Sequence, residues 1–84
     1  MSESRDQESS ILGRISDLVT EERDLREQNE HRLTPEERQR MRRLEGELDQ
    51  CWDLLRQRRA REEFGDDPDA VRVRPADDVE GYRQ

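Results

Sequence analysis

Apolar residues recur at a helical period in two segments of the chain. In the first segment, from Ile11 to Leu25, they follow one another at steps of three, four or seven positions. In the second segment, from Met41 to Leu55, the steps alternate between three and four. Such steps place side chains on one face of an α-helix, whereas a strand would alternate polar and apolar positions. The pattern therefore predicts an all-α chain with two amphipathic helices.

Local signals between and after these segments predict where the helices end. Thr34, Pro35 and Glu37 occupy the positions of an N-cap, a proline in the first helical turn and the acid of a capping box. Phe64 and Gly65 are predicted to end the second helix, since glycine is common just beyond a helix C-terminus. Two helices joined by so short a break favour an antiparallel hairpin. The predicted organisation is a disordered N-terminus over residues 1–8, a helical hairpin over 9–65 and an acidic, extended or disordered tail over 66–84, with helices at about 10–30 and 35–64 and the break at about 31–34.

A hairpin of this size is expected to need a second copy. Only 27% of the residues are hydrophobic and 46% are charged, a composition close to that of disordered segments, which excludes a large single core. Two helices also cover only one face of each other. We therefore expect the coiled-coil-like hairpin to form a homodimeric four-helix bundle. The residues predicted to mediate self-association are Ile11, Ile15, Leu18, Leu25, Met41, Leu44, Leu48, Cys51 and Leu55.

Charge and hydropathy narrow the classes of partner. The net charge of −7 opposes binding to the phosphate backbone of nucleic acids. No run approaches the roughly 20 apolar residues of a transmembrane helix, and the N-terminus lacks the pattern of a secretory signal. We therefore expect an acidic cytoplasmic protein that binds neither nucleic acid nor membrane.

The residues give no indication of catalysis or of metal binding. His31 lies in the predicted break, with no nucleophile or orienting acid held near it. We therefore expect that the chain is not an enzyme. Cys51 and His31 are the only soft ligands, whereas a structural zinc site needs about four. No metal ion or cofactor is predicted. Cys51 lies on the apolar seam, where it is expected to act as a small hydrophobe, the alternative being an intermolecular disulfide.

Arginines concentrate near the end of the second helix. All 16 basic residues of the chain are arginine, and residues 34–61 are its only positive segment, with eight arginines against six acids. The arginine stems could cover the end of the bundle and pair with acids of the first helix or of the tail. Alternatively they could form a site for an anion or a partner protein, with a tryptophan as anchor. The residues predicted for partner binding on this second interpretation are Trp52, Arg56, Arg58, Arg59 and Arg61.

The chain also resembles a small actinobacterial family of unknown function. The resemblance lies in residues 47–65 (ELDQCWDLLRQRRAREEFG), in residues 11–15 (ILGRI) and in residues 79–82 (VEGY), and it covers most of the chain. It implies a small, cytoplasmic, helical bacterial protein. It carries over no activity, substrate or binding residue.

These observations lead to two hypotheses about function. The first is a non-enzymatic helical protein–protein interaction module, a small cytoplasmic regulator that binds a second copy of itself and another cytoplasmic protein. The alternative is a sensor of a small anionic ligand or nucleotide, with the arginine cluster at a dimer interface as its site. The two hypotheses differ in what the arginine cluster contacts.

Overall fold

The computed structural model describes residues 3–28 and 32–78, which form two α-helices and one short 3₁₀ helix. Helix α1 spans Glu3–Gln28, helix α2 spans Pro35–Glu63, and the 3₁₀ helix η1 spans Ala76–Asp78. The described residues contain no strand. The predicted all-α helical hairpin is therefore confirmed.

Two ion pairs across the hairpin show that α1 and α2 run antiparallel. Arg14 pairs with Glu47, and Glu21, which lies further along α1, pairs with Arg40, which lies earlier in α2. The Arg40 and Glu21 charged atoms are 3.8 Å apart. Later positions of α1 thus meet earlier positions of α2, as a short connection requires.

The apolar faces of the two helices form one core inside a single chain. Leu18 and Leu48 are wholly buried there, and Cys51 and Trp52 are half-buried against it. The buried members of the core are Ile11, Ile15, Leu18, Leu25, Met41, Leu44, Leu48 and Leu55.

This core corrects the residues predicted to mediate self-association. Eight of those nine residues are its buried members, and the ninth, Cys51, packs against it. Each of the eight is at most 8% exposed, so almost none of its surface is left for a second copy. The seam seen in the sequence joins α1 to α2.

Helix α1 begins earlier than the sequence indicated. Residues 3–8, which were predicted to be disordered, belong to the helix. A tertiary contact accounts for this, since the side-chain oxygen of Gln7 accepts a hydrogen bond from the buried Arg58 of α2. His31, the first residue of the predicted break, and residues 29 and 30, the predicted end of the first helix, lie outside the described residues.

Helix α2 begins with the predicted capping box. The Thr34 hydroxyl accepts a hydrogen bond from the Glu37 backbone N–H at 3.2 Å, and the Glu37 carboxylate accepts one from the Thr34 N–H at 2.8 Å. Pro35 occupies the first turn, where its missing N–H would have no helical partner. The half-buried Leu33, just before the cap, packs against the core.

A glycine ends α2 and reverses the chain. Gly65 has a φ of +77°, in the left-handed region that residues with a side chain rarely adopt. Its N–H bonds to the Glu62 carbonyl at 3.2 Å, and the Asp66 N–H bonds to the Arg61 carbonyl at 2.7 Å. This pair of bonds is the Schellman motif, which satisfies the last helical carbonyls and starts the tail.

Candidate functional site

The described part of the tail, residues 66–78, folds back along α2. Two glutamine side chains of α2 hold its backbone. The Gln57 amide donates to the Arg72 carbonyl at 2.7 Å and accepts from the Arg72 N–H at 3.2 Å. The Gln50 amide donates to the Arg74 carbonyl at 3.0 Å. The tail was predicted to be extended or disordered, and over these residues it is ordered by contacts with the helix.

An ion pair reinforces this attachment. Asp53 of α2 is 1% exposed, and its carboxylate accepts from the Arg74 Nε at 2.9 Å, from the Arg74 Nη2 and from Gln57 at 2.7 Å. The hydrogen bonds from Arg74 lower the pKa of Asp53 below its ordinary value, against the opposing effect of desolvation. Asp53 therefore stays ionised and holds the tail through a charge-assisted contact.

Arg58 joins α1, α2 and the tail. Its side chain is 1% exposed and donates to the Asp69 carboxylate at 2.8 Å, to the Pro68 carbonyl at 3.2 Å and to the Gln7 side chain. A side chain so enclosed has almost no surface for another molecule while the tail is docked, so this structure does not place Arg58 on a contact surface. For Arg58, the pairing of arginine with acids of the tail is the interpretation that the structure supports.

Among the remaining residues predicted for partner binding, Trp52, Arg56 and Arg59 share one face of α2, at positions i, i+4 and i+7, and Arg61 lies on the opposite face. Trp52 is half-buried against the core, Arg56 and Arg59 are exposed, and Arg61 is half-buried. Successive helical residues point about 100° apart, so side chains that are neighbours in the sequence leave the helix in different directions. The helix therefore separates Arg58 and Arg61 from the face that carries Trp52, Arg56 and Arg59.

A shallow groove lies at the C-terminal end of α2. Arg61, Phe64 and Asp66 line it together with Gln57 and Ala60, and its volume is about 320 Å³. Phe64 is 79% exposed, more than any other large hydrophobic residue that the structure describes. The sequence analysis used Phe64 only as part of the signal that ends the helix, because a helical period cannot reveal that a residue beyond the apolar seam is exposed.

A second groove runs between α2 and η1. It has a volume of about 470 Å³. A Cβ atom at Gly46 would lie 3.3 Å from the Ala76 Cβ, so the absence of a side chain at Gly46 allows the tail to approach closely. The residues that line this groove, which we call the α2–η1 groove, are Gln39, Arg42, Arg43, Gly46, Glu47, Gln50 and Ala76. The sequence could not reveal it, because one wall belongs to a tail segment with no helical period.

The described residues include no cluster of three or more His, Cys, Asp or Glu side chains that could hold a metal ion. Cys51 is a free thiol, and burial raises its pKa above the ordinary value. Within the same described ranges, neither helix has the length and apolar character needed to cross a membrane.

Comparison with known proteins finds one family that matches most of the chain. The model of a family described as "Protein of unknown function (DUF2630)" matches residues 7–84. An uncharacterised protein of Mycobacterium bovis and one of Mycobacterium tuberculosis are each 57% identical to this chain over 77 residues. The matched residues cover 89% of this chain and 88% of each relative. No solved structure matches the chain.

Proposed function

This chain belongs to the DUF2630 family, so the resemblance found in the sequence is confirmed, and we propose that the chain is a non-enzymatic helical protein–protein interaction module. We place it in the bacterial cytoplasm, as a small regulator that binds another cytoplasmic protein. We assign the contact surface to the end of α2. The observation that carries this proposal is the exposure of Phe64, which is 79%.

An exposed aromatic ring beside an arginine is typical of a binding surface. Phe64 and Arg61 line the same groove, and aromatic residues and arginine are enriched where partners bind each other most tightly. The backbone that carries the ring has a defined position. Phe64 is the C-cap of α2, its backbone N–H bonds to the Ala60 carbonyl at 3.1 Å, and the turn at Gly65 follows it directly. A backbone that is already ordered loses little further entropy on binding.

The absence of enzymatic activity is supported by the positions of the titratable groups. The pKa of Asp53 is shifted, but the carboxylate is buried and bonded to Arg74 and Gln57, so it does not face solvent. The raised pKa of Cys51 keeps the thiol protonated near neutral pH, and the thiolate is the nucleophilic form. Neither group is arranged for acid–base or nucleophilic catalysis.

Site-specific cross-linking would test the contact surface. A photoreactive phenylalanine analogue placed at position 64 should cross-link a partner protein in the bacterial cell, whereas one at Arg23, exposed on α1, should not. The purified partner should then bind Phe64→Ala about tenfold or more weakly than the wild-type chain. Val73→Ala is the matched control, because Val73 is also an exposed apolar residue, at 63%. Equal cross-linking at both positions, or equal affinity for both alanine variants, would contradict the assignment.

A homodimer is the second partner that we propose. Leu12 and Val19 are better placed for it than the core, because each is 44% exposed and they lie seven residues apart on the same face of α1. Sedimentation velocity at micromolar concentration should show a dimer that Leu12→Glu/Val19→Glu converts to a monomer. A wild-type chain that sediments as a folded monomer would contradict the dimer and leave the surface at Phe64 untouched.

The arginine cluster gives no added support to the alternative of an anion sensor at a dimer interface. Arg58, the central member, is enclosed and already paired with Asp69. The exposed Arg56 and Arg59 line neither of the two grooves described above. We therefore retain the interaction module as the proposed function.

A further inference from the structure

The α2–η1 groove is a shallow, open groove lined by two arginine residues. Arg42 and Arg43 both line it and both are exposed. Neither guanidinium group forms a hydrogen bond or an ion pair with any residue in the described ranges. By contrast, Arg14, Arg58 and Arg74 are each paired with a carboxylate. The groove is thus lined by two arginines that have no carboxylate partner in the described ranges, in a chain whose net charge is −7.

The other charged groups near the groove determine where an anion would lie. Glu47 lines the groove, but its carboxylate is already paired with Arg14 of α1. Asp77 and Asp78 follow Ala76 on the opposite wall and are exposed. An anionic group is therefore favoured at the wall that carries Arg42 and Arg43. The uncharged part of a ligand is favoured against Gly46 and Ala76.

The size and lining of the groove indicate the class of ligand. Its volume of about 470 Å³ lies in the range of roughly 300–1,000 Å³ that is typical of small-molecule sites. Guanidinium groups match phosphate oxygens with paired hydrogen bonds, and two of them balance the double charge of a phosphate monoester. A phosphate group alone would fill only a small part of the space. The remainder is lined by Gly46, Ala76 and the apolar stems of the arginines, which suit a sugar or a flat ring.

From these observations we propose that the α2–η1 groove binds a small organic phosphate about the size of a mononucleotide, with its phosphate on Arg42 and Arg43. This site is separate from the surface at Phe64 and does not depend on it. Ligand binding also stabilises the docked tail, because one wall of the groove is present only while the tail lies on α2. A ligand that binds this form alone shifts the equilibrium toward it.

The test is a titration of the full-length, ¹⁵N-labelled chain followed by amide chemical shifts. The probes are adenosine 5′-monophosphate and ribose 5-phosphate, with adenosine and inorganic phosphate for comparison. We expect adenosine 5′-monophosphate, ribose 5-phosphate or both to shift the amide signals of Arg42, Arg43, Gly46 and Ala76. The affinity calculated from these shifts should be higher than that of inorganic phosphate. Adenosine, which lacks the phosphate, should leave these amides unchanged.

Matched variants distinguish the groove from general charge attraction. Arg42→Gln/Arg43→Gln should weaken binding about tenfold or more, since each lost guanidinium removes charge-assisted hydrogen bonds. Arg23→Gln/Arg59→Gln removes two exposed arginines elsewhere and should leave the affinity unchanged. Circular dichroism checks that both variants keep their helices.

Three results would overturn the proposal. The first is that neither organic phosphate changes the chemical shifts at concentrations up to about 10 mM. A dissociation constant above that concentration would be too weak for specific binding. The second is that inorganic phosphate binds as tightly as the two phosphate esters do. This would refute any role for the sugar or base of the ligand. The third is an equal loss of affinity in the two double variants, which would mean that only net charge matters.

Discussion

Replacing Arg74 by methionine would show how much the ion pair between tail and helix contributes to stability. Arg74→Met keeps most of the length of the side chain and removes the guanidinium that bonds to Asp53. The Asp53 carboxylate, 1% exposed, would be left with Gln57 as its remaining side-chain donor among the contacts described above. A buried carboxylate that loses its counter-charge destabilises the folded state.

The magnitude follows from how exposed each partner is. Breaking a fully buried ion pair costs about 3–5 kcal/mol. The side chain of Arg74 is 43% exposed, so water can replace part of its contact with Asp53, and Gln57 still donates at 2.7 Å. We therefore expect Arg74→Met to lower the free energy of unfolding by about 1.5–3 kcal/mol. Small domains have about 0.05–0.15 kcal/mol of stability per residue, so this loss is a substantial fraction of the total.

Urea unfolding followed by far-UV circular dichroism measures this loss. Arg72→Met is the matched control, because Arg72 lies in the same tail segment, is exposed and contacts α2 through its backbone. We expect the control to change the free energy of unfolding by less than about 0.5 kcal/mol. A double-mutant cycle with Asp53→Asn isolates the coupling between the two side chains. All variants are compared at one protein concentration, so that any self-association is equally represented.

The same pair predicts a pH dependence with a definite sign. Arg74 lowers the pKa of Asp53 in the folded chain, whereas the unfolded chain protonates it at the ordinary value of about 4. The stabilisation is therefore complete above about pH 4 and is lost as the pH falls through the lower, folded-state pKa. The difference between wild type and Arg74→Met should shrink across that window. The reasoning is refuted if Arg74→Met costs no more than Arg72→Met, or if the difference between wild type and Arg74→Met grows as the pH falls.

Three further predictions concern single positions. Gly65→Ala should lower the free energy of unfolding by about 1–2 kcal/mol, because φ is +77° there, whereas Gly13→Ala, at an exposed helical site with open space around it, should raise it by up to about 1 kcal/mol. Urea unfolding of both checks this, and two changes of the same sign would contradict it. Leu48→Ala, at a wholly buried core position, should cost about 2–5 kcal/mol, and a cost no larger than that of Val19→Ala, at an exposed position, would show that the core is misassigned. Cys51 should react with a thiol reagent at pH 8 more slowly than a cysteine in a short peptide, because burial raises its pKa, and an equal or faster rate would contradict this account.

The sequence determined the two helices and their facing sides. A helical period and a capping box are local properties, set by residues a few positions apart, so they can be recognised without tertiary contacts. The run from Ile11 to Leu25 and the seam from Met41 to Leu55 accordingly became the two sides of the core. The chain reversal at Gly65 is likewise a local property, because glycine tolerates a left-handed backbone.

The role of Arg58 shows where local reasoning failed. Arg58 occupies a position of the helical seam next after Leu55, and that position carries it into the interior. The sequence analysis left open whether the arginines of this cluster pair with acids of the first helix or the tail or form a binding site, and it could not tell Arg58 from its charged neighbours. Whether a buried guanidinium is tolerated depends on acceptors supplied by distant segments, here Gln7 and Asp69, which lie 51 and 11 residues away. The helical period of α2 gives no indication of those partners.

The tail and the grooves were decided only by the tertiary structure. Residues 66–78 have no apolar period, and they are held by Gln50, Asp53 and Gln57, polar residues that look like an ordinary solvated face of α2. The role of Gly46, which is to allow the close approach of Ala76, is visible only in the folded chain. Hydrophobic patterning predicts which faces avoid water. Polar contacts between distant segments depend on the geometry of individual donors and acceptors, which exists only after the chain has folded.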